Sequence, residues 1–208
     1  MSSETSDYGR SQTREHILKV SWNLAANHGS NLKLTEVAAK AGVSRQAIYL
    51  HFGDRAGLLL ALVRHMDETL DLRRRLAHVQ AAPDGGELLE RAMRLNTHFW
   101  SAVFPVARIL EAAQNDDPAL GSAWRDRMAY RQKSFAAMIR QIADMGELSP
   151  DWDIEEAAAL LFATTHFDTW RELTQHFGWT EDRYVSAMTR LLCRTFLERT
   201  QEGSSKKP

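Results

Sequence analysis

The chain has 208 residues and a formal net charge of −1 at pH 7, so it is not a generally basic nucleic-acid coat protein. Long helical periodicities, together with only five prolines and 11 glycines, favour an all-α protein with a sizeable core. Its single cysteine, Cys193, excludes an intrachain disulfide, and no segment reads as a membrane span or a secretory signal. We therefore expect a soluble, cytoplasmic protein.

The N-terminal end carries a slight excess of positive charge. Residues 1–55 contain seven Lys or Arg and five Asp or Glu, whereas the remainder contains 19 and 22. This excess only mildly favours an end that faces DNA. Residues 1–9 are polar and are predicted to be a disordered arm. Arg10 and Arg14 could reach a DNA backbone or minor groove, although a solvated tail explains them equally well.

Residues 10–54 predict a three-helix domain that contains a helix-turn-helix. A first helix is predicted over residues 12–28, with apolar positions at helical spacing, and Gly29 would end it. In the segment 34–52, a short helix should end at Gly42, because a helix end commonly needs a left-handed residue. Ser44 can then cap a second helix, whose Ile48 would pack back onto Ala38. Such a second helix has the width to enter a DNA major groove.

These residues resemble the TetR family of one-component transcriptional regulators. The run of Ala41-Gly42-Val43-Ser44 and the ending Tyr49-Leu50-His51-Phe52 carry the resemblance, which in motif is confined to about residues 14–62. The resemblance implies an N-terminal DNA-binding domain, followed by a helical domain that binds an effector and dimerises. It also implies a regulator rather than an enzyme, and no catalytic motif argues otherwise.

Polar side chains of the motif are assigned to DNA by their position. Arg45 and Gln46 suit base edges, because Arg can donate twice to guanine and Gln can pair with adenine. By resemblance, Tyr49 and His51 hold phosphates, and Arg55 begins a helix whose N-terminus could receive one. Each charged residue taken alone could equally be solvated. The predicted DNA-binding set is Lys33, Thr35, Ser44, Arg45, Gln46, Tyr49, His51 and Arg55.

Residues 55–202 are predicted to form the C-terminal helical domain for effector binding and dimerisation, and residues 203–208 a disordered tail. One long amphipathic helix is predicted from Arg55 to about Gln80, with Arg73 to Arg75 on a solvated face. Further helices are predicted over residues 87–103, 105–115, 118–145, 154–177 and 180–200. The prolines at 105 and 118 fit first-turn positions.

Large aromatic side chains in this domain would, by resemblance, enclose an effector cavity with a few polar groups. The alternative is that aromatics at helical spacing are only core. No cofactor is expected, and a metal at His98 and His166 is poorly supported. The predicted pocket residues are Asn96, Phe99, Trp100, Phe104, Trp124, Met128, Phe162, His166 and Trp170.

The final helix is apolar over a wide arc, which suggests burial against the chain's own core and against a second subunit. The predicted dimer interface comprises Asp168, Tyr184, Met188, Leu191, Leu192 and Phe196. The expected function is a homodimeric regulator that binds a palindromic operator in double-stranded DNA. A small, apolar or aromatic effector would release it as a repressor. A DNA-binding regulator without an effector, or an activator, remains the alternative.

Overall fold

The structure is a computed structural model that describes residues 2–28 and 32–198, and this part of the chain is almost entirely helical. Its α-helices are α1 (Ser2–His28), α2 (Leu34–Ala41), α3 (Arg45–Phe52), α4 (Arg55–Thr69), α5 (Leu72–Gln80), α6 (Gly85–Ala113), α7 (Pro118–Asp144), α8 (Ile154–Thr164), α9 (Phe167–Arg171) and α10 (Glu181–Phe196). None of these helices is long and apolar enough to cross a membrane. The predicted tail, residues 203–208, and Gly29 lie outside the described residues.

The chain divides into two compact units. The first comprises residues 1–72 and 102–127, and the second comprises residues 73–101 and 128–208. The predicted domain boundary between residues 54 and 55 does not coincide with this division. The reason is that α4 belongs to the first unit, where Leu58, Leu59 and Leu62 are fully buried in the same core as Ile17 and Ile48.

The first helix begins at Ser2, whereas a disordered arm was predicted over residues 1–9. Once a helix is nucleated, each added residue gains a backbone hydrogen bond at little cost, and no proline interrupts this segment. Ile17, Ser21 and Leu24, which follow helical spacing, are buried, and so is Ala25 beside them. The Ser21 hydroxyl donates to the carbonyl oxygen of Ile17 at 2.7 Å, which satisfies a buried polar group within its own helix.

The long helix predicted from Arg55 to Gln80 is interrupted. α4 ends at Thr69 and α5 begins at Leu72, and between them Asp71 adopts a left-handed backbone with φ of +48°. Asp is one of the few non-glycine residues that tolerates this conformation. Nothing in the hydrophobic period of Leu58, Leu62 and Met66 signals the interruption.

Conversely, the two helices predicted over residues 87–103 and 105–115 form a single helix. α6 runs from Gly85 to Ala113 with Pro105 inside it. A proline within a helix lacks the N–H that would bond to the carbonyl four residues back, here that of Ser101. The flanking buried residues, Val103 and Val106, hold the helix together despite this lost bond.

The helix predicted over residues 154–177 is divided into three parts. α8 ends at Thr164, α9 begins at Phe167, and a π-helical turn follows from Glu172 to His176. His166 caps α9 with its imidazole, whose Nδ1 accepts from the backbone N–H of Asp168 at 3.5 Å. This division leaves the last carbonyl groups of α8 available to side chains from other helices.

Candidate nucleic-acid interface and ligand site

The turn of the helix-turn-helix has the predicted geometry. Gly42 ends α2 with φ of +65°, and the backbone N–H of Val43 donates to the carbonyl of Ala38 at 3.1 Å. The Ser44 hydroxyl accepts from the backbone N–H of Ala47 at 3.1 Å and caps α3. Ile48 is fully buried. These contacts fix the angle at which α3 leaves the turn.

The outer face of α3 is polar and accessible. Arg45 and Gln46 are exposed in its first turn, and Tyr49 is 44% exposed one turn later. Lys33 and Thr35, which flank the start of α2, are also exposed. The structure therefore brings the predicted base-reading and phosphate-binding side chains to the surface of one small domain. Whether they contact DNA remains a prediction.

Two of the predicted DNA contacts already have partners within the chain. The Ser44 hydroxyl oxygen accepts the capping hydrogen bond, and the Nε of Arg55 donates to the carbonyl of Leu32 at 3.1 Å. The start of α4 is capped by the Asp54 carboxylate, which accepts from the N–H of Gly57 at 2.7 Å. This carboxylate already accepts one of the free N–H groups at the helix N-terminus, and phosphate binding at the start of α4 stays a prediction.

The charges of two arginines of α1 act on His51. Burial lowers the pKa of the His51 imidazole, and the positive charges of Arg10 and Arg14 lower it further. The Arg14 guanidinium also lies over the Phe52 ring, 5.3 Å from its centroid. Sequence reasoning had placed these arginines on a flexible arm, because their proximity to α3 depends on the fold. The arrangement concentrates positive charge beside the exposed end of α3.

The junction between α3 and α4 depends on a glycine that sequence reasoning did not single out. A Cβ atom built on Gly57 would lie 1.9 Å from the carbonyl oxygen of Phe52. No side chain can be accommodated at such a distance without moving the backbone. The helical spacing of α4 gave no sign of this approach, because residue 57 faces the last residue of α3, which precedes the turn into α4.

In the second unit, one carbonyl oxygen collects three donors. The Thr165 carbonyl, just beyond α8, accepts from Asn96 Nδ2 at 3.2 Å, Trp100 Nε1 at 3.2 Å and Arg131 Nη2 at 2.7 Å. Asn96 was predicted to hold an effector, but its side chain is buried and donates to this carbonyl instead. The predicted pocket residue His166 is likewise used to cap α9.

The guanidinium of Arg131 is enclosed by aromatic rings. It lies 4.6 Å from the ring centroids of Phe135 and Phe162, and 5.5 Å from that of Trp100. Burial lowers the pKa of Arg131 to about 9, and the nearby phenol of Tyr184 opposes this shift. Burial in turn raises the pKa of Tyr184 to about 12. Both groups therefore keep their ordinary charge at neutral pH, with Arg131 cationic and Tyr184 neutral.

Sequence reasoning missed Arg131, although a signal was present. Trp124, Met128, Phe135 and Met138 follow each other at helical spacing on α7, and residue 131 falls on the same stripe. An arginine on an apolar stripe is unusual and must find partners in the interior. Which partners it finds depends on α6 and α8, far away in the sequence.

The remaining predicted pocket residues are distributed over both units. Phe104 and Trp124 belong to the first unit, and the others to the second. Trp100 and Trp170 are buried, whereas Phe99, Phe162 and Met128 are half-buried. The predicted cavity remains a prediction, because these side chains do not line the groove described next.

A groove of about 650 Å³ lies in the second unit, and most of the residues that line it are charged or polar. Two of its arginines are paired within α6: Arg91 with Glu87 at 2.8 Å, and Arg94 with Glu90 at 2.7 Å. The acidic side chains of Glu181 and Asp182 face the same groove. The full lining is Arg74, Arg75, His78, Val79, Arg91, Arg94, Leu95, Thr97, His98, Glu181, Asp182 and Val185.

Most of the predicted dimer interface is core. Tyr184, Met188, Leu192 and Phe196 are buried inside the second unit, so they are not available to a partner subunit. The wide apolar arc of α10 reflects this internal packing. Leu191 alone of the predicted apolar set is strongly exposed, at 50%. Asp168, the polar member, pairs with Arg171 of its own chain at 3.1 Å. Within the described part of the chain, no three His, Cys, Asp or Glu side chains converge as a metal site.

Comparison with known proteins supports the N-terminal assignment directly. Residues 17–62 match the model of bacterial regulatory proteins of the tetR family. Over 48 residues the chain is 48% identical to the HTH-type transcriptional regulator AcrR of Shigella flexneri. That match covers 23% of this chain and only 22% of the relative, so it concerns the DNA-binding domain alone.

Solved structures match the fold over nearly the whole chain. A transcriptional regulator from Saccharomonospora viridis, in complex with choline, has a TM-score of 0.79 at 23% identity, covering 91% of this chain and all of that one. A TetR-family regulator from Agrobacterium tumefaciens has a TM-score of 0.73 at 16% identity, with the same coverage. Residues 17–62 thus match the DNA-binding part of tetR-family regulatory proteins, and the chain as a whole shares the fold of these solved transcriptional regulators.

Proposed function

We propose that the chain regulates transcription by binding a palindromic operator as a homodimer. The observation that carries this proposal is the division of α3 into two faces. Ile48 is fully buried, while Arg45, Gln46 and Tyr49 are accessible on the surface. A capped helix with a polar face and a buried anchor is what major-groove reading requires. The match of residues 17–62 to bacterial regulatory proteins of the tetR family also argues for a regulator rather than an enzyme.

The accessible residues divide by the kind of DNA contact that their chemistry allows. Arg45 and Gln46, in the first turn of α3, can read base edges. Tyr49, Lys33 and Thr35 can hold phosphates, which fixes the position of the domain without reading sequence. Arg10 and Arg14, beside His51, add a positive field that attracts the backbone.

This division is tested with a fluorescent duplex taken from upstream of the protein's own gene. Gln46→Ala should relax the preference at one base position, whereas Tyr49→Ala should weaken binding to all sequences alike. Arg140→Ala, an exposed arginine of α7 in the second unit, serves as the control and should change neither property. A wild-type protein with no salt-sensitive affinity for any duplex would contradict the proposal.

We further propose that a small molecule bound in the second unit releases the operator. The S. viridis structure with choline supports ligand binding within this fold. α6 and α7 each contribute residues to both units, so a ligand that shifts either helix in the second unit acts on residues of the first. The ligand can lower operator affinity by at most the difference between its own affinities for the two arrangements of the helices.

Choline is the first compound to test, since it occupies a protein of the same fold. Its quaternary ammonium would suit an aromatic cage, but here three rings already surround the guanidinium of Arg131. Choline is therefore expected to leave operator affinity unchanged. A several-fold loss of affinity with choline would show that the effector binds elsewhere than at these rings.

A constitutive regulator without an effector is the second candidate. The aromatic side chains of the second unit favour it, because Phe167 is fully buried and its ring lies 5.4 Å from that of Trp100. A core packed in this way needs no ligand to complete it. Operator affinity that stays constant across a broad panel of small molecules would support this alternative.

The homodimer is proposed to involve the exposed apolar residues of the second unit. Leu191 on α10 is 50% exposed, and Phe177, after the π-helical turn, is 66% exposed. Sedimentation equilibrium should give a dimer for the wild type and a weaker dimer for Leu191→Glu. Leu50→Glu is the control, since Leu50 is more exposed but lies in the DNA-binding unit. A monomeric wild type would contradict the dimer.

A further inference from the structure

Arg131 is a buried cation with no acidic partner. Its guanidinium lies among the rings of Trp100, Phe135 and Phe162, and no Asp or Glu of the described residues forms an ion pair with it. Moving a charge into an apolar interior costs several kcal/mol unless an opposite charge accompanies it. The three ring faces and the carbonyl groups at the end of α8 offset only part of this cost.

Two N–H groups of the Arg131 guanidinium are not used in its hydrogen bonds. Nη1 donates to the carbonyl of Phe162 at 3.0 Å, and Nη2 donates to the carbonyl and the hydroxyl oxygen of Thr165, both at 2.7 Å. A guanidinium has five N–H groups. Hence the Nε–H and the second N–H of Nη1 find no acceptor among the residues that the structure describes.

A second polar group beside Arg131 is also unsatisfied. The side chain of Tyr184 is fully buried, and its hydroxyl has no hydrogen-bond partner within residues 32–198. The phenol and the guanidinium are close enough for each to affect the other's pKa. A buried hydroxyl without a partner costs about 1–3 kcal/mol, so its retention calls for an explanation.

We infer that Arg131 and Tyr184, with the rings of Trp100, Phe135 and Phe162, form the binding site for a monocarboxylate that carries an apolar or aromatic body. The carboxylate would accept hydrogen bonds from the spare donors of Arg131 and from the Tyr184 hydroxyl. The rings would cover its apolar part. This inference rests on the proposed effector-dependent function, for which it names the chemical class of the effector.

The composition of the site favours a carboxylate over a phosphate. A phosphate near its second pKa carries up to two charges and three strong acceptor oxygens, whereas this site offers one cation and one hydroxyl among apolar rings. Solvent reaches only the edge of the site, where Arg131 and Phe162 are partly exposed, because Tyr184 is fully buried. A ligand that displaced this solvent would gain an ion pair in a surrounding of low dielectric constant.

The opposing explanation is that Arg131 serves only to cap the carbonyl groups at the end of α8. Both explanations predict that Arg131→Gln destabilises the second unit. They differ for Tyr184→Phe, which removes only an unpartnered hydroxyl. A purely structural role predicts no loss of any function in this variant, and unchanged or raised thermal stability.

The test uses titration calorimetry on the full-length protein with four probes: octanoate, octanamide, 3-phenylpropanoate and 3-phenylpropanamide. At least one acid should bind about tenfold or more tightly than its amide, because the amide lacks the charge that pairs with Arg131. Tyr184→Phe should keep its fold by circular dichroism and bind that acid several-fold more weakly. Arg131→Gln should lose binding, whereas Arg140→Gln, on the same helix but exposed, should not.

Three outcomes would overturn the inference: neither acid binds at millimolar concentration, acid and amide bind alike, or Tyr184→Phe binds the acid as the wild type does. If Arg131→Gln fails to fold, the Tyr184→Phe result decides. Operator affinity is measured separately. An acid that binds without releasing the operator would leave this site standing and contradict the proposed release, whereas operator binding without any acid binding would contradict only the site.

Discussion

The indole nitrogen of Trp22 donates a hydrogen bond of 3.0 Å to the carbonyl oxygen of Ala102. The two residues are 80 positions apart, and the bond ties α1 to the part of α6 that belongs to the first unit. The Trp22 ring also meets the ring of His65 edge-on, at 6.2 Å between centroids. This side chain therefore holds the helix that supports the DNA-reading domain against both α4 and α6.

Trp22→Phe should lower the free energy of unfolding by about 1 kcal/mol, because it removes this hydrogen bond while keeping an aromatic ring. Urea unfolding measures the loss, and hydrogen exchange should become faster in α1. Trp152→Phe is the matched control, since Trp152 Nε1 donates to the carbonyl of Thr195 at 2.7 Å in the second unit. Trp152→Phe should lower the free energy of unfolding by a similar amount and leave hydrogen exchange in α1 unchanged. Equal rates of hydrogen exchange in α1 for both variants would contradict the role given to the Trp22 hydrogen bond in holding α1.

Gly57→Ala should destabilise the first unit by several kcal/mol, or move α3 relative to α4. The new methyl group would lie 1.9 Å from the Phe52 carbonyl oxygen. Operator affinity should fall at least about tenfold as a result. Gly9→Ala is the control in α1, where a Cβ meets nothing within 4 Å. That change should raise stability by about 0.5 kcal/mol, because alanine favours the helix. A Gly57→Ala variant with the stability and operator affinity of the wild type would contradict the close approach of residue 57 to the Phe52 carbonyl oxygen.

Operator affinity should rise as the pH falls through the range in which His51 becomes protonated, if His51 contacts a phosphate. In the protein without DNA, burial and the charges of Arg10 and Arg14 hold the pKa of His51 below its ordinary 6.5. A phosphate favours the protonated form and raises this pKa, so the complex binds more protons than the free protein does. Affinity therefore increases through the interval between the two pKa values. Fluorescence anisotropy at a series of pH values measures the slope.

The His51→Asn variant should flatten this pH dependence, whereas His98→Asn, an exposed histidine of α6, should leave it intact. Titration of the duplex or of other histidines would change the pH dependence of operator affinity alike in the wild type and in both variants. If His51→Asn retains the wild-type slope, His51 is not a phosphate contact.

Pro105→Ala should raise the free energy of unfolding by about 1–3 kcal/mol, because it restores the N–H that can bond to the Ser101 carbonyl. Pro118→Ala is the control, since Pro118 is the first residue of α7 and no such bond is missing there. Thermal and urea unfolding measure both. A destabilised Pro105→Ala variant would indicate that the surrounding packing requires the altered helix geometry at this point.

The helix-turn-helix could be predicted from the sequence because its determinants are local. Gly42 ends α2, Ser44 caps α3, and Ile48 anchors it, all within seven residues. The exposed positions of Arg45 and Gln46 follow from the same helical period. Arg55 was assigned less well, because its bond to the Leu32 carbonyl depends on how α4 returns to the start of α2.

The second unit was predicted less well because its determinants are distant in sequence. The cluster at Thr165 joins Asn96 on α6, Arg131 on α7 and the end of α8, and no local pattern specifies these contacts. Apolar periodicity led to the assignment of Tyr184 and Phe196 to the dimer interface, because it could not distinguish the chain's own core from a partner subunit. Burial in the folded chain decides between the two.

The left-handed residue Asp71 has a mechanical consequence. A single rigid rod from residue 55 to residue 80 would act as a lever, so that a displacement at one end would swing the other. With α4 ending at Thr69, that lever is only fifteen residues long, because the left-handed backbone of Asp71 separates α4 from α5. α6, by contrast, continues as one helix from Gly85 to Ala113, although Pro105 lies within it.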